Sequence, residues 1–231
     1  MTDILRSGLG ALGLDEAKAE TLEAFARLVL EKNKVMNLTA ITDEADFARL
    51  HLLDSAALLG VEAFAGRRVV DVGTGAGFPG VPLRILCPDV KMTLLDSTAK
   101  RVDFLRESCD NLELRDVACV HARAEEFASA HRETFDLAIS RAVAGMNVLC
   151  ELCLPLVRAG GRFLAMKSAQ SGEELERAGR AVETLGGRVL RVADYTIPTS
   201  DVTHRVIVIE KVKPTPKQYP RPFGQIKKKP L

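Results

Sequence analysis

The sequence predicts an α/β protein whose mostly parallel, seven-stranded sheet ends in an antiparallel hairpin and carries a helical subdomain at its N-terminus. Three observations lead to this prediction. From residue 66 onward short apolar β runs alternate with helical patterns, a glycine-rich turn follows the first run, and two consecutive β runs close the series. Strands that alternate with helices form parallel sheets, because each crossover helix returns the chain to the same edge.

The first 65 residues are predicted to be helical because apolar side chains recur there at helical spacing. Asp15 is the predicted N-cap of one helix, and Thr42 or Asp43 that of the next. His51 and Asp54 lie beside the apolar stripe of the second helix. A hydrogen bond that helps pack the helix is the ordinary interpretation of this pair, and a functional role is the alternative. The two stripes are Leu22, Phe25, Leu28 and Val29, and Phe47, Leu50, Leu53, Ala57 and Leu58.

Five strand–helix units and a terminal hairpin are predicted to follow. A turn at Gly160-Gly161 leads into the fifth strand, and the loop 197–201 joins the last two strands, which are most simply antiparallel. We therefore divide the chain into a helical subdomain (1–65), an α/β domain (66–212) and a basic tail (213–231). The predicted strands cover 69–72, 91–95, 117–121, 136–140, 162–167, 189–196 and 204–212, and the helices 81–86, 100–112, 124–131, 146–157 and 173–185.

The bulk composition is that of a cytoplasmic domain. The chain has 231 residues, 47% of them hydrophobic, no apolar run long enough to span a bilayer and no signal-peptide pattern at Met1. Cys150 and Cys153 form a CxxC within an apolar helical segment, without a second pair or a histidine cluster nearby. Core packing therefore explains them better than a metal or redox site, and we predict no metal.

Charge is distributed unevenly along the chain. Residues 1–210 contain 25 basic and 31 acidic side chains, whereas residues 211–231 contain seven basic and no acidic ones. A short basic tail rich in proline is typical of an arm that binds a polyanion, and a solubilising tail is the alternative.

The stretch 69–80, VVDVGTGAGFPG, carries the strongest functional signal. An apolar β run ends at an acid, passes through a glycine-rich turn and opens a helix, and the next β run ends at Asp96. Glycines adopt positive φ and let the backbone approach a ligand, while a carboxylate on the second strand accepts hydrogen bonds from ribose hydroxyls. The pattern predicts a nucleotide-cofactor site.

The spacing of these glycines also satisfies the dinucleotide-binding pattern, so the cofactor must be decided on other grounds. Asp71 would repel a pyrophosphate at the turn but would attract the ammonium group of S-adenosylmethionine. Pro79 and Pro82 remove N–H donors that would hold a phosphate. Together with the terminal hairpin, these residues favour S-adenosylmethionine, and a nicotinamide-dependent oxidoreductase remains the alternative.

The stretch 71–82, DVGTGAGFPGVP, resembles the signature of the ribosomal small-subunit methyltransferase G family, also called glucose-inhibited division protein B. The resemblance runs from about residue 30 to the end of the chain. It implies a Rossmann-like class I S-adenosylmethionine-dependent methyltransferase that modifies N7 of a guanine in 16S ribosomal RNA within the small subunit, acting as a monomer. The other matching segments are 33–39 (NKVMNLT), 51–55 (HLLDS), 100–105 (KRVDFL), 139–142 (ISRA), 165–167 (AMK), 219–222 (YPRP) and 227–231 (KKKPL).

The resemblance also assigns roles to individual residues. Phe78 stands where many members carry leucine, which is still an apolar contact. By resemblance and by the glycine-turn pattern, the cofactor-binding residues are Asp71, Gly73, Gly75, Gly77, Phe78, Asp96, Ser97, Thr98, Ala124, Glu125 and Arg141. The predicted RNA-binding residues are Lys100, Arg101, Arg123, Lys167, Arg221, Lys227, Lys228 and Lys229, and those predicted to orient the base are Asn37, Arg123 and Lys167, with Arg141 beside them.

No protein nucleophile or general base is predicted. Guanine N7 has a free in-plane lone pair and no proton, so attack on the methyl group requires alignment and no base. The amino-methyltransferase motif Asn/Asp-Pro-Pro-Tyr is accordingly absent after the fourth strand, where Ser140-Arg141 stands. A small-molecule methyltransferase and a non-catalytic RNA-binding or assembly factor on the same fold remain alternatives.

Overall fold

A computed structural model describes residues 1–141 and 144–231 of the chain. Its seven strands form one sheet in the order β3-β2-β1-β4-β5-β7-β6. The first five are parallel to one another, whereas β7 lies antiparallel between β5 and β6. The predicted architecture, with its terminal antiparallel hairpin, is thereby confirmed. The strands are β1 (Arg68–Val72), β2 (Lys91–Asp96), β3 (Val117–His121), β4 (Phe135–Arg141), β5 (Val157–Ser168), β6 (Gly187–Thr196) and β7 (Thr203–Lys211).

Helices cover both faces of the sheet, which is why its central strands are apolar on both sides. Neighbouring residues of a strand point to opposite faces. Val69 packs into one core with Phe25 of the N-terminal helices, and Val70 packs into the other with Leu149. The helices are α1 (Thr2–Ala11), α2 (Ala19–Met36), α3 (Glu44–Phe47), α4 (Asp54–Ala56), α5 (Leu58–Val61), α6 (Gly80–Leu86), α7 (Ala99–Asn111), α8 (Ala124–Ala130), α9 (Met146–Cys153), α10 (Gly172–Arg177), α11 (Gly179–Thr184) and α12 (Phe223–Lys228).

Asp15 and Asp43 act as N-caps, as predicted, but the helical segments that follow them differ from the prediction. Asp15 caps a short 3₁₀ turn, Glu16–Lys18, that precedes α2. Asp43, and not Thr42, accepts the first N–H groups of α3. Between α3 and α4 the chain forms a π-helical turn over Ala48–Leu53. Such turns are rare and are frequently found at functional sites.

Three elements of the α/β part differ from the prediction. The helix predicted over 146–157 ends at Cys153, because Pro155 lacks an N–H and a 3₁₀ turn follows. Strand β5 then starts at Val157 and bulges where a turn was predicted, since its register with β4 shifts between Phe135 and Leu137. The helix predicted over 173–185 is divided into α10 and α11 at Ala178.

The basic tail packs against the domain over much of its length. The Arg132 guanidinium donates to the carbonyls of Thr215 (2.5 Å) and Tyr219 (2.7 Å). Ile226 of α12 is fully buried in the core on the α9 face. Within the described part of the chain, no helix combines the length and the apolar character needed to cross a bilayer.

Candidate functional site

A cavity of about 420 Å³ opens at the carboxyl edge of the sheet, where β1 to β4 end. Open α/β sheets bind their ligands at this edge. The cavity is lined by backbone of the glycine turn, by two carboxylates and by three arginines. Its lining residues are Leu38, Thr39, His51, Val72, Gly73, Thr74, Gly75, Ala76, Phe78, Leu95, Asp96, Ser97, Arg101, Ala122, Arg123, Ala124, Glu125, Arg141, Leu152 and Phe223.

The glycine turn is held against strand β2. The N–H groups of Gly73 and Thr74 both donate to the Leu95 carbonyl, at 2.8 and 3.1 Å. The φ angles of Gly73, Gly75 and Gly77 are +72°, +60° and +103°, a region that side chains disfavour. At Gly77 a Cβ would also lie 2.9 Å from the Phe25 ring. Glycine is therefore required here by both conformation and close packing.

Asp96 ends β2 and faces the cavity with its carboxylate already oriented. Its Oδ2 accepts from the Gly75 N–H at 3.0 Å, and its Oδ1 accepts from the Thr98 N–H at 2.8 Å. Arg101 lies 3.7 Å from Oδ2. A carboxylate has about four acceptor positions, so two remain for the hydroxyl groups of a ligand.

Asp71 lies beneath the glycine turn and does not line the cavity. Its buried Oδ2 accepts from the Thr74 hydroxyl at 2.7 Å and from the Gly80 N–H at 2.8 Å. Its Oδ1 has no hydrogen-bond partner among the residues described. Burial raises the pKa of Asp71 to about 6, despite these two hydrogen bonds. Because Asp71 is fully buried and outside the cavity lining, its carboxylate can act on a ligand in the cavity through its charge and not by direct contact.

Arg123 and Glu125 form the wall at the end of β3. The Arg123 Nε donates to Glu125 Oε1 at 2.6 Å, and its guanidinium lies 4.2 Å from the centre of the Phe223 ring. Phe223 belongs to the tail, so the C-terminal segment contributes a side of the cavity. Phe223 was not predicted as a site residue, because the basic charge of the tail indicated only a polyanion-binding arm.

Arg141 closes the cavity at the end of β4. Its guanidinium donates to the Leu50 carbonyl (2.9 Å), to Asp54 Oδ2 (3.1 Å) and to His51 Nδ1 (2.9 Å). The imidazole of His51 stacks on the Phe78 ring with the centroids 4.6 Å apart. Burial and the nearby guanidinium charge lower the pKa of His51 to about 3, so the ring is neutral. The side chains of His51 and Asp54 are therefore joined through Arg141, without a direct hydrogen bond between them.

Asp54 extends this network to the terminal hairpin. Its Oδ1 accepts from the Tyr195 hydroxyl at 2.7 Å and from His204 Nδ1 at 2.8 Å. Burial alone would raise the pKa of Asp54, but the hydrogen bond from His204 and the Arg141 charge hold it below its ordinary value. The hydrogen bond to Asp54 in turn raises the pKa of His204. The N-terminal helices, β4 and the hairpin thus meet at one buried carboxylate.

Several predicted residues lie away from the cavity. Lys167 donates to the Ala144 carbonyl and to Glu174 Oε1, both at 2.8 Å, and its side chain is largely buried. Asn37 is exposed in the left-handed C-cap of α2, with φ +49°. Gly77, Thr98 and Lys100 flank the lining residues without joining them. Ala142, which is part of a predicted motif, lies outside the described residues.

The predicted RNA-binding residues of the tail fall into two groups. Arg221 forms an ion pair with the fully buried Glu151, so this guanidinium is held in the fold. Lys227, Lys228 and Lys229 are exposed at the end of the helix that carries Phe223. Their ammonium groups therefore lie on the segment that forms the cavity wall.

The two cysteines of the CxxC are buried in α9, and burial raises the pKa of both thiols. They lie in the core, on the face that also buries Leu149. Among residues 1–141 and 144–231, no group of three histidine, cysteine or acidic side chains is arranged to hold a metal ion.

Comparison with known proteins identifies close relatives over the whole chain. A family model described as rRNA small subunit methyltransferase G matches residues 18–203. A Ribosomal RNA small subunit methyltransferase G from Alkaliphilus metalliredigens is 46% identical over 233 residues, which is 99% of this chain and 98% of the relative. The protein of the same name from Acetivibrio thermocellus is 43% identical, over 97% and 93% of the two chains.

Solved structures share the fold over about two thirds of this chain. TrmN from Thermus thermophilus superposes with a TM-score of 0.54 and 23% identity, over 68% of this chain and 48% of the other. M. jannaschii TYW2, solved in complex with AdoMet, superposes with a TM-score of 0.57 and 15% identity, over 70% of this chain and 76% of the other. At these identities the likeness concerns the fold alone.

Proposed function

The chain belongs to the rRNA small subunit methyltransferase G family, and from that premise we propose that it methylates N7 of one guanine in 16S ribosomal RNA, using S-adenosylmethionine. The observation that carries this proposal is the cavity itself. It joins a glycine turn and the braced carboxylate of Asp96 to a side formed by Arg141 and the N-terminal helices.

The residues present fit S-adenosylmethionine better than a dinucleotide. Asp96 has acceptor positions left for ribose hydroxyls, and Glu125 borders the neighbouring part of the cavity. Asp71 lies fully buried under the turn, so its negative charge would disfavour a pyrophosphate in the cavity and favour an ammonium group. Helix α6 begins at Gly80 with prolines on either side, which leaves few N–H donors for a phosphate.

The main requirement of this reaction is that the protein aligns the guanine with the methyl group. When bound between the glycine turn and Asp96, the cofactor would supply an electrophilic methyl group, carried on a sulfonium sulfur, to the lone pair of guanine N7. No proton is transferred, so no side chain acts as a base. The work of the site is to hold the guanine edge in line and to exclude water. Arg141, held by three partners, provides a rigid wall for this purpose.

Basic residues near the cavity support a ribosomal RNA substrate. Arg101 and Arg123 line the cavity, and Lys227 to Lys229 are exposed on the tail segment that supplies Phe223. The rest of the chain has a net negative charge, so these groups would direct RNA phosphates to the cavity mouth. We propose that a cytoplasmic monomer acts on the small subunit, and that the target base is unstacked to reach the cavity.

The test is methyl transfer to small ribosomal subunits isolated from cells that lack the enzyme of this family. Tritium from labelled S-adenosylmethionine should enter 16S RNA, and chemical cleavage at 7-methylguanine should map it to one guanine. An Asp96→Ala variant should transfer little label, because the ribose contact is lost.

Two results would overturn the proposal. One is the absence of label in any RNA although the wild-type protein is folded and binds the cofactor. The other is label located at an exocyclic amino group or a ribose. A small-molecule methyltransferase would show neither RNA transfer nor a steep salt dependence of RNA binding.

A further inference from the structure

Thr39 is fixed at the side of the cavity by a single asparagine. Asn33 Oδ1 accepts from the N–H groups of Leu38 (2.6 Å) and Thr39 (2.9 Å), and Asn33 Nδ2 donates to the Thr39 carbonyl (3.0 Å). These three hydrogen bonds clamp the loop that follows α2. Leu38 and Thr39 both line the cavity, while the adjoining Asn37 is exposed. Thr39 therefore lies between the surface and the interior of the site.

The tautomer of His51 follows from its contact with Arg141. A guanidinium can only donate, so His51 Nδ1, at 2.9 Å from it, must be the acceptor. In a neutral ring the proton is then on Nε2. Nε2 lies 2.8 Å from Thr39 Oγ1 and donates to it.

The Thr39 hydroxyl has one hydrogen-bonding position that is not used, its proton. Its oxygen accepts from His51 Nε2 and also from the Ile41 N–H at 3.1 Å, which occupies both lone pairs. Its own proton has no acceptor among the described residues. Because Thr39 lines the cavity, the hydroxyl is a fixed donor for a ligand acceptor in that space.

We propose that the Thr39 hydroxyl donates a hydrogen bond to O6 of the guanine that is methylated, and so orients its N7 edge. This proposal rests on the proposed function and deepens it. The edge of guanine that carries N7 presents two acceptors, O6 and N7. N7 must keep its lone pair free to react, so a single donor can serve this reaction only at O6.

The position of Thr39 favours the base over the cofactor as its partner. Asp96, Ser97 and Glu125 line the cavity at the ends of β2 and β3, where the nucleoside is proposed to lie. Thr39 contacts the ring of His51, which is bonded to Arg141 at the end of β4, on the other side of β1. Thr39 belongs to the half-buried loop that follows α2, next to the exposed Asn37.

The test compares Thr39→Val, which keeps the shape and removes the hydroxyl, with Thr39→Ser, which retains it. With small subunits lacking the methyl group as substrate, Thr39→Val should lower kcat about 10- to 100-fold, because O6 is then left without a donor in a closed site. KM for the subunits should change less than threefold, because phosphate contacts provide most of the affinity. Thr39→Ser should recover most of kcat. Thr42→Val, an exposed threonine three residues away, is the matched control.

A second measurement tests whether the effect of Thr39 depends on O6 of the guanine. Subunits reconstituted with 2-aminopurine at the mapped guanine keep N7 and lack O6, so wild-type protein and Thr39→Val should methylate them at equal rates. The melting temperature of Thr39→Val should fall by a few degrees, because His51 Nε2–H and the Ile41 N–H lose their acceptor, and Thr39→Ser should match the wild type. The calorimetric Kd for S-adenosylmethionine should match the wild type in both variants. If Thr39→Val and the wild type have equal kcat on natural subunits, the inference about Thr39 is overturned while the proposed function stands. A tenfold higher cofactor Kd in Thr39→Val would have the same consequence. If the wild type methylates no subunit RNA at all, the proposed function itself fails.

Discussion

The guanidinium of Arg221 donates to both carboxylate oxygens of Glu151, a side chain with no exposed surface. The backbone N–H of Arg221 donates to the same carboxylate at 2.9 Å. This ion pair joins the C-terminal tail to helix α9. It positions α12, and with it the Phe223 ring at the cavity.

Removing the guanidinium should strongly destabilise the protein. Arg221→Ala leaves a buried carboxylate without its charged partner, which typically costs about 3 kcal/mol or more in the free energy of unfolding. Urea denaturation measures this loss. Arg177→Ala removes an ion pair whose two side chains are both exposed and should change the free energy by less than about 0.5 kcal/mol. Similar losses in the two variants would show that the buried ion pair contributes no more to the free energy of unfolding than an exposed one.

Phe223→Ala should weaken cofactor binding while leaving the fold intact. The ring forms part of the cavity wall and supports the Arg123 guanidinium, an interaction of about 1 kcal/mol. We expect the calorimetric Kd for S-adenosylmethionine to rise about fivefold. Gln225→Ala, an exposed position on the same helix, is the control. An unchanged Kd in Phe223→Ala would mean that the tail does not contribute to the site.

Asp96→Ala should reduce cofactor affinity much more. The substitution removes the acceptor for ribose hydroxyls and also frees the Gly75 and Thr98 N–H groups that hold the turn in place. Hydrogen bonds to a charged group contribute about 1.5–3 kcal/mol each, so the Kd should rise about 100-fold or more. Asp103→Ala, which removes an exposed carboxylate on the next helix, should bind the cofactor normally. Near-normal binding by Asp96→Ala would place the ribose elsewhere.

The raised pKa of Asp71 predicts the direction of a pH effect on stability. The folded-state pKa is about 6 and the ordinary value is 3.8, so between these values the folded state holds more protons than the unfolded state. Stability attributable to Asp71 therefore falls as pH rises from about 4 to about 6. Over this window the free energy of unfolding of the wild type, relative to Asp71→Asn, should fall by about 2–3 kcal/mol. Urea denaturation of the cofactor-free protein at each pH provides the measurement. A difference that stays flat, or rises, would contradict the assignment.

The exposed lysines of the tail should contribute to RNA binding and not to cofactor binding. Replacing Lys227, Lys228 and Lys229 together by glutamine should weaken binding to small subunits. The slope of log K against log salt concentration should decrease by an amount that corresponds to about two phosphate contacts. The Kd for S-adenosylmethionine should stay unchanged. Lys91→Gln, at the opposite edge of the sheet, should leave the salt slope unaltered. A slope unchanged in the triple variant would assign the tail a purely solubilising role.

The parts of the site that were predictable are those encoded within one βαβ unit. The glycines of the turn and Asp96 are neighbours along one strand–turn–helix–strand segment, and the parallel register that pairs Asp71 with Leu94 brings them together. The hairpin was predictable as well, because strand alternation and loop length are local properties. The bulge in β5 was not, since it depends on how that strand pairs with β4.

The α/β fold, the glycine turn and the carboxylate that follows it were predictable from the chain alone, because hydrophobic periodicity and residue spacing are local properties. The partners of the other site residues depend on how distant segments pack. His51 and Asp54 come together through Arg141, about ninety residues away, and the tail reaches the cavity through Glu151. Such contacts arise when separate segments bury polar groups against one another, and a buried charge must then find whatever partner the packing places beside it.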